Sequence, residues 1–166
     1  MFRIGDTVAH YKEGVCQIVK TGKIEISCCD KEKEYYTLKP VYNASGTIYT
    51  PVANEKKQIR EVISNEEAKR MLATMKEIEE IAVSDEKKRE AAYKEAMMTN
   101  DCKAWIAVLK TAYGRKMKRQ ELGKKSINVD EKYLTIAEKF LCGEFAEALG
   151  LSREEIKLLF IEALKN

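Results

Sequence analysis

Apolar positions alternate with polar ones through the first fifty residues, and from about residue 60 onward they recur three and four apart. The first period is that of strands and the second that of helices. The stretch from Glu34 to Asn54 shows the β pattern best. Tyr35, Thr37 and Lys39 face one way and Tyr36 and Leu38 the other, and Thr47-Ile48-Tyr49-Thr50 resumes β-branched and aromatic spacing after the turn Asn43-Ala44-Ser45-Gly46. This predicts a hairpin. Pro51 has no N–H to give a ladder, so it ends the second strand or places it at a sheet edge, and an edge can accept a strand from another protein. Upstream, Thr7 to His10, Val15 to Thr21 and Ile24 to Cys28 read as further strands, with Val8, Val15, Ile18 and Val19 as apolar members. About five short strands with turns between them predict a small antiparallel barrel.

Asn54 to Arg60 reads as a polar connector. Ser64-Asn65-Glu66-Glu67 is a capping box, and Ala68, Met71, Leu72, Met75, Ile78 and Ile81 extend one apolar stripe to about Ala82. Ser84-Asp85 predicts a second helix over Glu86 to Met98. Asn100-Asp101 opens a third, with Trp105, Val108, Leu109 and Ala112 inward. Asp130 opens a fourth, stopped by Gly150, and Ser152-Arg153-Glu154-Glu155 caps a fifth. The expected fold class is α+β in two domains, a β domain over 1–56 and a helical domain of about five helices over 57–166.

Composition narrows the function classes. With 166 residues, 45% hydrophobic and 34% charged, the chain is of ordinary globular type. No run is long and apolar enough for a bilayer, and the opening MFRIGDTVAHY alternates where a signal peptide would not, which predicts a cytoplasmic protein. Five cysteines, two of them adjacent, predict free thiols. The net charge of +3 is uneven in its distribution: Lys103, Lys110, Arg115, Lys116, Lys118, Arg119, Lys124 and Lys125 face Glu121 alone. A solvated helix end needs fewer cations than that, so contact with nucleic-acid phosphates is the better reading of this run. Lys87, Lys88 and Arg89 fall in a first helical turn, where cations oppose the macrodipole unless an anion is near.

Catalytic chemistry is poorly supplied. His10 is the sole histidine, phosphate-binding glycine loops and C-x-x-C are absent, and the acid pairs Glu66-Glu67 and Glu154-Glu155 are explained by capping. Neighbouring Cys28 and Cys29 would point apart on a strand and could not share a zinc ion. No catalytic residue, metal site or cofactor is expected. Trp105 fits the buried stripe better than a base-stacking role.

Three stretches together resemble the CarD/CdnL family of bacterial transcription regulators, whose N-terminal module is shared with the transcription-repair coupling factor. They are Phe2 to Val15, with its G-D-x-V spacing; Glu34 to Lys39 with Thr50 to Asn54 and Ile59-Arg60; and Lys132 to Leu149, K-Y-L-T-I-A-E-K-F-L-C-G-E-F-A-E-A-L. The resemblance implies a Tudor-like barrel that binds the RNA polymerase β subunit, a helical domain that contacts promoter DNA and stabilises the open complex, and no enzymatic activity. It places the polymerase contact at Thr47, Ile48, Tyr49, Thr50 and Pro51, the residue that ends the strand. Many members carry a wedge tryptophan at the start of the second helix of the helical domain; a gapless alignment puts Glu86 there. DNA contact is then expected from Lys87, Lys88 and Arg89 and from Arg115, Lys116, Lys118, Arg119, Lys124 and Lys125, through the phosphate backbone.

Other readings stay open on the residues alone. A polymerase- or protein-binding adaptor without wedge activity would suit Glu86. An RNA-binding protein would need Tyr35, Tyr36 or Tyr42 exposed for stacking, and a thiol enzyme would need a reactive Cys28 or Cys29. The lack of a long heptad seam predicts a monomer.

Overall fold

A computed structural model describes residues 1–42, 46–54 and 56–165. The chain divides into two compact units, Met1–Val62 and Ile63–Asn166. The first holds β1 (Thr7–His10), β2 (Gly14–Lys23), β3 (Glu34–Pro40), β4 (Ile48–Pro51) and β5 (Ile59–Glu61). They form one curled antiparallel sheet, a half-barrel, in the order β4-β3-β2-β1-β5. The turn expected at Asn43 to Ser45 lies outside the described residues.

Alternation sorts the side chains as the sequence predicts. Val8, Cys16, Ile18, Tyr36, Leu38 and Ile59 make the core, with Phe2, Ile48 and Val52 packed on its margin. Val19 is not among them. One extra residue of β2 lies between the pairs Ile18↔Leu38 and Lys20↔Thr37, a bulge that leaves Val19 exposed and increases the local twist.

Two expectations fail here. No strand forms over Ile24 to Cys28, because β2 runs straight through the expected turn at Gly22-Lys23, with Gly22 opposite Tyr35 and Lys23 opposite Glu34. Residues 24–33 are instead the loop of the β2–β3 hairpin, folded on itself by the bond from the Cys29 N–H to the Ile26 carbonyl. The fifth strand comes from the expected connector, since Ile59–Glu61 pairs with β1. The first compact unit accordingly takes in β5 and runs to Val62.

His10 shapes the β1–β2 turn. It is buried, and its Nδ1 accepts the backbone N–H of Lys12 and of Glu13, each at 3.2 Å. Burial, aided by the charge of Lys12, lowers its pKa from 6.5 to about 4. The unfolded chain thus binds a proton that the folded chain refuses between those values, so stability is present above pH 6.5 and is lost as pH falls toward 4. The expected loss in the β unit is on the order of 2 to 3 kcal/mol. Hydrogen exchange of the β1 and β2 amides, corrected for intrinsic rates, should show it between about pH 7 and about pH 4.5 and should show much less in His10→Gln; equal pH dependence in both proteins would contradict this role.

The second unit holds α1 (Asn65–Ala73), α2 (Glu86–Met98), α3 (Cys102–Glu121), α4 (Asn128–Leu149) and α5 (Arg153–Lys165). Ser64 and Glu67 form the expected capping box, Ser152 and Glu155 form another, and Gly150 ends α4 at φ 68°. Helix α1 stops at Ala73 and not near Ala82. Past a short 3-10 turn at Met75–Glu77, other helices hold the chain extended: Lys110 Nζ donates to the Lys76 and Ile78 carbonyls, the Ile81 N–H donates to Thr111 Oγ1, and Arg89 donates to the Val83 carbonyl. These bonds replace those of a helical continuation.

Helices α3 and α4 form the centre of this unit. Trp105 is fully buried, edge-on to Phe140, and its Nε1–H donates to the Met97 carbonyl at 3.0 Å. Phe145 meets Phe160 of α5, and Tyr93 of α2 meets Tyr133. The acid-rich end of α4 is partly internal. Glu144 is fully buried and accepts the Ile63 N–H at 2.9 Å and the Cys102 thiol at 3.2 Å, which ties the entry to α1 and the start of α3 to α4.

Candidate docking edge and basic face

Strand β4 is an edge of the sheet, as Pro51 suggests, and that proline is its last residue. Its register on β3 pairs Tyr36 with Thr50, Thr37 with Tyr49 and Leu38 with Ile48. The Val52 N–H donates to the Glu34 carbonyl at 3.0 Å. In an antiparallel ladder hydrogen-bonded pairs alternate with unbonded ones, so Thr50 and Ile48 also turn their backbone groups toward β3. Tyr49 and Pro51 turn theirs away. The open edge thus offers the Tyr49 N–H and carbonyl and the Pro51 carbonyl, and proline stands at a position where its missing N–H costs the ladder nothing.

The five residues expected at this contact separate by role. Thr47 is exposed and precedes the strand. Ile48 packs on the core margin, and Thr50 is fully buried, so these two hold the strand in place and present no side chain outward. Tyr49 and Pro51 are half-buried on the other face. Where the strand ends, Pro51, Val52 and Asn54 border a pocket of about 470 Å³ that Lys33, Glu34 and Lys56 complete. Sequence reasoning missed this pocket, because it depends on the β2–β3 loop returning beside the end of β4.

The expected DNA-contacting cations also separate. Arg89 is buried: its Nε lies 3.3 Å from a carboxylate oxygen of Glu86, and its Nη2 donates to the Val83 carbonyl at 2.8 Å. Arg115 Nε bonds both carboxylate oxygens of Asp130, at 3.2 and 3.0 Å, while its Nη2 reaches Glu86 at 2.9 Å. Asp130 has no exposed surface and also accepts the Tyr93 hydroxyl at 2.8 Å. Burial and that bond push the Tyr93 phenol up to about 12. Lys116 pairs with Glu131 at 3.1 Å, and Arg119 Nε donates to the Lys125 carbonyl at 2.6 Å.

Glu86 is thereby part of the scaffold. Slight desolvation acts to raise its pKa, but the hydrogen bond from Arg89 and the charge of Arg115 outweigh it and hold the carboxyl below its usual range. Through Arg115 the first turn of α2, the last turns of α3 and the first turn of α4 meet at one end of the helical unit. Lys87, Lys88, Lys118, Lys124 and Lys125 are exposed at that end, the last two on a turn that Gly123 makes at φ 69° and that the Lys124 N–H closes onto the Arg119 carbonyl. Cations from two segments far apart in sequence are thus exposed near one end of the helical unit.

The sole histidine is committed to a turn, and Tyr35 and Tyr36 are buried, which leaves the half-buried Tyr42 of the three tyrosines considered for base stacking. Among the described residues no helix is long and apolar enough to cross a membrane. No curated protein matches the chain. Residues 2–63 match the family model described as the CarD-like/TRCF RID domain, a protein-interaction module, and the match spans the whole five-stranded sheet. Sheet, open edge and family match agree, and residues 2–63 are a CarD-like RNA-polymerase-interacting domain.

Proposed function

We propose that the protein is a transcription regulator that docks on the β subunit of RNA polymerase through β4 and lays the basic face of its helical unit on promoter DNA, stabilising the open complex. The open edge of β4 is the observation that carries the docking half. A strand of the polymerase would pair with the Tyr49 backbone, and one of its side chains would enter the pocket beside Pro51. The DNA half rests on the exposure of Lys87, Lys88, Lys118, Lys124 and Lys125 near one end of the helical unit. Contacts from such lysines would go to phosphates and carry no sequence preference.

The anchoring of Glu86 by two arginines favours a DNA contact made without a wedge. In a titration of promoter duplex against the full chain, Lys118→Gln, Lys124→Gln and Lys125→Gln together should weaken binding and lower the slope of log affinity on log salt by about 0.9 for each phosphate that is no longer neutralised. An unchanged affinity and slope would leave the adaptor reading, in which the helical unit meets protein only.

A further inference from the structure

We propose that Cys28 and Cys29 form an exposed dithiol site that chelates one thiophilic metal ion of the Zn²⁺ and Cd²⁺ class. A strand over Ile24 to Cys28 would aim the two side chains to opposite faces and separate them. The turn found there does the reverse and brings Sγ to Sγ at 3.9 Å. Two thiolates at about 2.3 Å from a tetrahedral zinc ion stand about 3.8 Å apart, so the pair already sits close to the bite such an ion requires.

The loop is held to the sheet. The Asp30 N–H donates to the Tyr35 hydroxyl oxygen at 3.0 Å, Asp30 Oδ1 accepts the Glu32 N–H at 2.9 Å, and the Lys33 N–H donates to the Asp30 carbonyl at 3.2 Å. A chelating pair fixed this way loses less conformational freedom on binding than one on a free tail. The pair is also the accessible one: Cys28 is exposed and Cys29 half-buried, whereas Cys16, Cys102 and Cys142 are buried.

Chelation is a proton exchange with no redox change. Each thiol gives up its proton as its sulfur bonds the metal, two protons leave per ion, and water or a small thiol fills the two remaining positions. Because each ion displaces two protons, affinity should climb as pH rises, by up to about two in log affinity per pH unit.

The test is titration of the reduced full chain with Cd²⁺, followed by the ultraviolet thiolate-to-metal band and by proton release. The expected result is one Cd²⁺ and two protons per chain, with Cys28→Ser and Cys29→Ser each binding at least about tenfold more weakly and losing most of the band. Both changes lie in an exposed loop, and circular dichroism verifies that the variants are folded. A wild-type affinity equal to that of either variant, or a band that persists in both, overturns the site.

Discussion

Reversing the charge of Arg115, as Arg115→Glu, should destabilise the helical unit by about 3 to 5 kcal/mol, a large part of what holds a domain of this size. The sequence alone marks Arg115 as one cation of a basic run, available to a phosphate. In the fold its guanidinium neutralises Asp130, which has no exposed surface, and joins Glu86 on α2. Removing it strands a carboxylate inside the protein with the neutral Tyr93 hydroxyl in place of a cation, and a glutamate adds a second negative charge beside it. Trp105, the only tryptophan, lies buried in this unit, so its fluorescence during urea unfolding reads the loss directly. Replacing the three together, as Arg115→Met, Asp130→Leu and Tyr93→Phe, should recover most of the stability, because apolar side chains of similar volume remove both charges and the hydroxyl that bonds Asp130 at once. An Arg115→Glu protein as stable as wild type would contradict this assignment.

The same residue shows where sequence reading reaches its limit. Alternation over Tyr35 to Leu38 fixed the faces of β3, and Pro51 marked β4 as ending at an edge, because both signals act within one or two residues. The capping boxes at Ser64 and Ser152 were legible for the same reason. What failed depends on partners distant in the chain. The apolar stripe past Met75 looks helical until Lys110 and Thr111 take the backbone groups of Ile78 and Ile81. Ile59–Glu61 looks like a connector until β1 lies beside it, and Ile24 to Cys28 like a strand until β3 is seen to hold β2 straight through Gly22 and Lys23. A count of charges, likewise, does not separate Arg89 and Arg115, each bonded to carboxylates, from the exposed Lys118 and Lys124.

Changing Tyr49 to proline should abolish docking on the polymerase while the β unit stays folded. The alternation that starts from the Val52 N–H and Glu34 bond leaves the Tyr49 N–H on the open edge, outside the β3 ladder. Proline deletes that donor and puts its ring where an incoming strand must lie, and edge positions of this kind tolerate proline within a sheet. Tyr49→Ala keeps the N–H and should bind more weakly than wild type because the phenol ring is gone, yet clearly better than Tyr49→Pro. Thr50→Pro is the structural control: its N–H belongs to the β3 ladder, so that change should destabilise the sheet itself.

The most direct measurement is the binding of a purified RNA polymerase β-subunit fragment to the full chain, wild type against Tyr49→Pro, with both proteins first shown to be folded. Binding by wild type that falls at least about a hundredfold in the proline variant, a loss of about 2.7 kcal/mol, is the result expected of strand pairing at β4. Equal binding by the two folded proteins would contradict docking through this edge.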